Sequence, residues 1–199
     1  MRKTLLCLVV TAVLVTGCTG RSIDEMRGRG PVAAGGTSSS ATRSARTINE
    51  QADIYAAVIR RLVTRDHTFG EGTSPFGHVY VLDGPVPGAG KPTNVTLIDP
   101  PRTFERATIA GIRDRLMDLP PITFIPGPHR VRKGKDGLGG VKNEGVIISL
   151  GPIERSGANV EVPNALWCGG LCGQWLTYVL REHDEGWKVT GTTGTYAIS

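Results

Sequence analysis

The hydrophobic pattern of the sequence changes its period near residue 120, and this change limits the possible folds more than any other feature. Upstream, two segments carry apolar residues at helical spacing: one opens at Thr47 and the other covers 103–119. Downstream, short apolar or alternating runs are separated by turn residues, as in consecutive strands. Predicted strands cover 78–82, 95–98, 122–125, 145–153, 158–166, 174–181, 187–190 and 195–198. Helices followed by strands favour an α+β fold, with two helices packed on one face of a mostly antiparallel sheet.

The first predicted helix has a clear start and a basic end. Thr47 and Glu50 have the spacing of a capping box, and an apolar stripe follows them. The stripe comprises Ile48, Ala52, Tyr55, Ile59 and Leu62. Arg60, Arg61 and Arg65 lie near the end of the helix, where its macrodipole favours positive charge. Helices and strands do not alternate along the chain, so no parallel βαβ unit is predicted.

The first residues have the form of a secretory signal peptide. Arg2 and Lys3 precede an apolar run over 5–15, and small residues follow it up to Cys18. The run of 11 residues is shorter than the 20 or so that a membrane-spanning helix needs. We therefore expect export of the chain without a transmembrane anchor.

The end of this run, Val15-Thr16-Gly17-Cys18, resembles the lipobox of bacterial lipoproteins. The resemblance implies that a lipid is added to the Cys18 thiol, that cleavage follows Gly17, and that the bilayer is a partner of the mature chain. It places the protein on the extracytoplasmic face of a cell membrane. The alternative is an ordinary secreted protein with a chance cysteine at the cleavage site.

Charge divides the rest of the chain into a stalk and a neutral domain. The net charge of the whole chain is +5, but residues 19–46 hold five arginines against two acids, and 47–199 hold 16 basic and 16 acidic residues. A neutral domain lacks the basic field that binds nucleic acid, so no nucleic-acid partner is expected. Residues 18–46 lack apolar periodicity and are predicted to form a flexible stalk. The predicted organisation is a signal peptide over 1–17, the lipidated stalk over 18–46 and one domain over 47–199.

The segment Trp167-Cys168-Gly-Gly-Leu-Cys172-Gly-Gln-Trp175 places two cysteines at the edges of a Gly-rich hairpin connection. Facing residues of a hairpin have Cα atoms about 4.5–5.5 Å apart, which suits a disulfide. An exported chain meets oxidising conditions, so a Cys168–Cys172 disulfide is predicted. The alternative is copper or thiol-redox chemistry, because a CxxxC segment also resembles the copper site of extracytoplasmic copper chaperones.

A dense run of cations marks a second candidate site. Arg130, Arg132, Lys133 and Lys135 lie on a predicted loop, where they could bind an anionic group. The alternative is a solvated loop, since charge runs are usually hydrated.

Asp66, His67 and His78 form the one acid–imidazole cluster of the sequence, with Glu71 and Ser74 nearby. A hydrolase needs a nucleophile and a base within hydrogen-bonding reach, so these residues define the enzyme alternative. The chain contains no G-x-S-x-G, S-x-x-K or H-E-x-x-H motif. No catalytic residue, resident metal or cofactor is therefore predicted.

The C-terminal run, Asp184-Glu-Gly-Trp187-Lys-Val-Thr-Gly and the closing Thr-Tyr-Ala-Ile-Ser199, resembles the final hairpin of cone-shaped α+β domains such as the nuclear-transport-factor-2-like group. This resemblance implies a strongly curved sheet. Residues 48–199 also resemble secreted proteins of actinobacterial type, a group that implies no activity. The sequence thus favours a membrane-tethered, non-catalytic module that binds a protein, a wall polymer or a small ligand.

Overall fold

The computed structural model describes residues 37–69, 74–92, 98–134 and 139–199. Gly36–Ser199 form one compact unit. Several predicted features lie outside the described residues: Cys18 with the signal peptide, Glu71, Lys135 and three of the four residues of the predicted strand 95–98.

Two α-helices and seven strands make up the described chain, which confirms the predicted α+β class. The helices are α1 (Thr37–Thr64) and α2 (Arg106–Arg115). The strands are β1 (His78–Leu82), β2 (Ile122–Ile125), β3 (Gly145–Leu150), β4 (Glu154–Ser156), β5 (Asn159–Gly169), β6 (Cys172–His183) and β7 (Gly186–Ile198). Short 3₁₀ turns cover Pro128–Arg130 and Lys142–Glu144.

The strands form a single mixed sheet in the order β2-β1-β3-β5-β6-β7, and β4 pairs with β5 beside this path. Strand β1 runs parallel to both β2 and β3, while the remaining pairs are antiparallel. The mostly antiparallel sheet is therefore confirmed. The expectation that no βαβ unit exists is wrong, because α2 is the crossover between the parallel strands β1 and β2. The long turn-rich stretch between β1 and α2 conceals this unit in the sequence.

Helix α1 begins ten residues before its predicted start at Thr47. Residues 37–46, predicted to be stalk, are helical, and the side chains of 40–46 are exposed. The hydroxyl of Thr47 donates to the carbonyl of Arg43 one turn back, so Thr47 is an interior residue and not a cap. An exposed extension shows no apolar stripe, and elongating a helix whose later turns are already packed needs none.

The main core lies between the helices and one face of the sheet. Helix α1 buries the predicted stripe from Ala52 through Leu62, α2 adds Ile112, and Leu116 follows directly after α2. Alternate residues of the strands meet them, including Val79, Val81, Val146, Ile148, Leu150, Val162, Leu166 and Tyr178. The predicted packing of the helices on one face is confirmed.

Loops cover part of the opposite face. Tyr80, Leu82 and Ile147 point away from the helices and pack with loop residues and Trp167. The loop residues are Val86, Ala89, Val131 and Val141. The turn-rich segment after β1 is therefore a packed layer, which buries the centre of the sheet on both sides.

Strand β7 is one continuous edge strand, where two strands, 187–190 and 195–198, are predicted. Its pairing with β6 shifts register twice, between Trp175 and Thr177 and between Val179 and Leu180. Gly194 has φ of +71°, a left-handed conformation that glycine adopts without a Cβ clash. Glycines and register shifts interrupt the alternation of side chains, so the sequence pattern divides a strand that is structurally whole.

Candidate functional site

A groove runs between α1 and β7, and we call it the α1–β7 groove. It consists of three adjoining pockets of about 410, 430 and 310 Å³. The first two share Asp53, Gly186 and Trp187, and the last two share Arg61 and Val189. The groove therefore follows α1 towards its C-terminal end while following β7 from its start.

The middle of the groove combines apolar surface with charge. Ala56 and Ala57 of α1 lie across from Trp187 and Val189 of β7. Five cations line the same pocket, Arg60, Arg61, Arg65, Arg115 and Lys188, together with the acids Asp53 and Glu185. Such a surface suits a ligand that has both apolar and charged side groups.

Most of these cations are already paired. Arg60 donates two hydrogen bonds to the Asp118 carboxylate, at 2.6 and 2.7 Å, and one to the carbonyl of Arg115. The bonds from Arg60 lower the pKa of Asp118 to about 2. Arg115 donates to Asp53, and Lys188 donates to Glu185.

Arg65 differs from its neighbours in the groove. It is exposed and makes no ion pair with any residue in the described ranges. Its guanidinium is therefore the cation of this pocket that is available to a ligand without breaking an existing pair.

The far end of the groove is closed by a network of Arg61, Asp66 and Tyr178. Arg61 Nε and the Tyr178 hydroxyl both donate to Asp66 Oδ2, at 2.7 and 2.8 Å. Burial, reinforced by the Asp66 carboxylate, raises the pKa of Tyr178 far above its usual value. Through these two hydrogen bonds, Asp66 links the end of α1 to β6.

The predicted acid–imidazole cluster is not assembled. His67 is buried between Phe69 and Phe76, its Nε2 has no partner in the described structure, and burial lowers its pKa. His78 instead pairs its Nε2 with Thr123 Oγ1 at 2.8 Å and stacks on Tyr80. Neither imidazole hydrogen-bonds to Asp66.

Ser74 likewise is not paired with an imidazole: its hydroxyl accepts from the backbone N–H of Phe76. The described residues of this cluster therefore contain no nucleophile–base pair of the kind that hydrolysis requires.

The sulfurs of Cys168 and Cys172 lie at disulfide-bonding distance, with Cα atoms 5.2 Å apart, as the sequence predicts. The cysteines do not face each other in the ladder, because Gly169 pairs with Cys172 and the register shifts at Cys168. Gly170 and Leu171 form the two-residue turn between β5 and β6. Thiols bonded in this way have no thiolate to offer to copper.

Part of the predicted anion-binding loop makes contacts within the domain. The Arg132 guanidinium lies 5.2 Å from the centre of the Trp167 ring, in a cation–π contact. Lys142 Nζ donates to the carbonyl of Arg130, while the side chains of Arg130 and Lys133 are exposed. Arg132 therefore packs on Trp167, while the exposed Arg130 and Lys133 form no closed anion pocket with described residues.

The sequence contains signals for the groove that motif analysis does not use. The first signal is the set Arg60, Arg61 and Arg65 with Trp187: their local patterns predict only a complement to the helix dipole and a hairpin. The second signal is the run 189–198, which has neither a charged residue nor a proline. An edge strand normally carries such residues, so their absence is informative.

Among the described residues, no group of three or more His, Cys, Asp and Glu side chains is arranged to hold a metal ion. No helix in the described ranges combines the length and apolar character needed to cross a bilayer. No family model, curated protein or solved structure matches this chain. Its function must therefore be inferred from its own residues.

Proposed function

We propose that this chain is a lipid-tethered, extracytoplasmic binding module that holds an extended polypeptide segment against β7, in the α1–β7 groove. The observation that carries the proposal is the open edge of β7 beside a groove with apolar and charged walls. A polypeptide is the ligand class that fits both the strand edge and the groove, since its backbone can pair with a strand while its side chains enter a groove.

The edge of β7 is suited to strand addition. β7 is 13 residues long and ends the sheet, with β6 as its one neighbour among the described strands. Residues 190–196 are all exposed. Proteins usually protect such an edge with charged residues, prolines or bulges. Along 189–198 there are register shifts but no charged residue and no proline. The backbone N–H and C=O groups of this edge therefore remain available to a second chain.

The groove supplies contacts for the side chains of an added strand. Trp187 and Val189 with Ala57 form an apolar contact surface, and Arg65 offers a free guanidinium to an acidic side chain. The groove extends from Arg46 at one end to Thr192 at the other. Its length and open form favour an extended segment over a small molecule, which is normally enclosed.

The tether is supported by the sequence. The signal-like start and Val15-Thr16-Gly17-Cys18 favour lipidation of Cys18, and residues 19–36 would then link the lipid to α1. Restriction to a membrane surface raises the local concentration of the module near envelope proteins. Weak strand pairing is then sufficient for function.

The two alternatives are less well supported by the geometry. The hydrolase alternative needs Asp66, His67 and His78 in one site, but these residues have separate partners. The copper alternative needs free thiols at Cys168 and Cys172, which lie at bonding distance instead.

Site-specific photocrosslinking in the native host tests the groove. A benzophenone amino acid at Thr192 is expected to give a discrete adduct whose digestion releases peptides of the partner. Ala57→Arg places a long side chain in the groove and is expected to abolish the adduct. Glu105→Arg introduces the same side chain at the exposed residue before α2, which does not line the groove, and is expected to preserve the adduct.

Two outcomes contradict the proposal. One is an adduct that Ala57→Arg leaves unchanged although circular dichroism shows a folded variant. The other is an adduct that contains glycan without peptide, which would identify a wall polymer. The tether is tested separately with Cys18→Ser, which is expected to move the protein out of the membrane fraction and remove the lipid mass.

A further inference from the structure

Four exposed apolar side chains converge at one end of the sheet, and we call them the apolar tip: Phe69, Leu171, Tyr196 and Ile198. Their exposed fractions are 63%, 85%, 57% and 58%. Ile98 and Met117 are the two other large apolar side chains exposed among the described residues. Four of these six exposed apolar side chains therefore form one patch, unlike the single, scattered apolar residues that are normal on protein surfaces.

Contacts with the Cys172–Gln174 segment bring the tip together. Thr68, beside Phe69, contacts Cys172 Sγ at 3.3 Å, and Phe69 lines a pocket with both cysteines. Leu171 immediately precedes Cys172 at the hairpin turn. The end of β7 closes the set, because Ile198 pairs with Gln174 and the Tyr196 hydroxyl donates to Gln174 Oε1.

Cations border the apolar tip. Gly140 bridges to Gly169 next to the turn, and the N–H of Lys133 donates to the carbonyl of Gly140. Arg132 lies over Trp167 on β5, and Lys142 donates to Arg130. Among the described residues at this end, one exposed acid accompanies these four basic residues: Glu144, which lines the same pocket as Phe69.

We propose that the apolar tip is a membrane-docking surface that inserts Leu171 and Phe69 between the headgroups of an anionic bilayer, with the bordering cations on the lipid phosphates. An apolar cluster bordered by Lys and Arg is the combination that interfacial membrane binding requires.

The proposed tether permits this docking. The tip follows the C-terminal end of α1, whereas the tether joins its N-terminal end, about 42 Å away for 28 residues. The 18 residues between Cys18 and Thr37 reach at most about 60 Å when extended. The extended length of this segment therefore exceeds the length of α1.

Vesicle flotation tests the proposal on residues 36–199, the compact unit, without any lipid attached. We expect binding to vesicles that contain phosphatidylglycerol and much weaker binding to phosphatidylcholine alone. Leu171→Ser is expected to weaken binding to anionic vesicles about tenfold, since one apolar side chain leaves the interface. Lys133→Gln is expected to weaken it about fivefold, the effect of one lysine near a charged surface.

Met117→Ser is the matched control, because Met117 is 81% exposed on a different surface at the end of α2. It is expected to bind like the unmodified domain. Phe69→Ser serves as a second tip variant, and circular dichroism checks each fold. The proposal is overturned if the unmodified domain does not float with anionic vesicles, if it binds phosphatidylcholine equally well, or if Leu171→Ser and Met117→Ser behave alike. The inference rests on the proposed membrane location. Because the assay uses the domain without its lipid, a failure of membrane docking can be distinguished from a failure of Cys18 lipidation.

Discussion

Strands β3 and β7 belong to the same sheet but have opposite environments. All six residues of β3 are buried, and β3 has a strand on each side and packed side chains on both faces. None of the 13 residues of β7 is fully buried, and β6 is its one neighbour among the strands that the structure describes. The comparison teaches that burial, and with it the expected stability, is concentrated at the centre of the sheet, whereas the edge strand is mostly exposed.

The largest predicted difference is between a substitution in β3 and one in β7. Ile148→Ala removes a fully buried side chain and leaves a cavity, so a loss of about 2–5 kcal/mol in the free energy of unfolding is expected. Thr192→Ala, on the exposed edge, is expected to change it by no more than about 0.5 kcal/mol. Urea denaturation of both variants measures the two values. Similar losses would show that β7 contributes to stability as much as β3.

The next largest loss in the free energy of unfolding is expected on removal of the disulfide at the hairpin between β5 and β6. Replacement of both Cys168 and Cys172 by alanine is expected to lower the free energy of unfolding by about 2 kcal/mol, because the closed loop is short. Reduction of the unmodified protein should cause the same loss and should not affect the double variant. Two free thiols in the unreduced protein would contradict the pairing.

A smaller loss in the free energy of unfolding is expected from substitutions in the network that joins β6 to the end of α1. Tyr178→Phe removes one hydrogen bond to Asp66, and a loss of about 1 kcal/mol is expected because the partly exposed carboxylate recovers water. Asp66→Ala should cost more, since it removes the acceptor of both Tyr178 and Arg61. Urea denaturation distinguishes them, and equal stability of all three proteins would show that the network does not join the helix to the sheet.

The pH dependence of stability tests His67, which is buried on the helix side of the sheet. Burial lowers its pKa in the folded state, so the stabilising neutral form is fully present above the unfolded pKa of about 6.5. Stability should then fall as the pH decreases through the folded pKa. His67→Phe, which fits between Phe69 and Phe76, is expected to lose less stability than the unmodified protein between pH 7 and 5. Identical slopes in urea titrations would contradict this assignment.

Features set by short-range patterns could be predicted from the sequence. The bounds of β1 and β2 are correct to the residue, because each is a short run of β-branched and aromatic residues between turn residues. The pairing of Cys168 with Cys172 follows from the hairpin that their spacing implies. The α+β class follows from the order of the periodic segments.

Features set by packing or exposure could not be predicted. The first ten residues of α1 are exposed and carry no apolar stripe, and the glycines of β7 interrupt its alternation. The βαβ crossover requires knowledge of which strands pair. The groove brings Arg65, in the segment after α1, close to Trp187, although the two are more than 100 residues apart in the sequence. A local sequence pattern cannot predict such a contact.

Amide hydrogen exchange with the partner segment identified from the Thr192 crosslink is the most direct test of the groove. In the free chain we expect slow exchange in β3 and faster exchange in β7, since half of the edge is unpaired. Addition of the segment as a peptide should slow exchange within 189–198 and leave β3 unchanged. If the peptide binds but protects other residues and leaves 189–198 unaltered, β7 is not the binding edge and the proposed function is wrong.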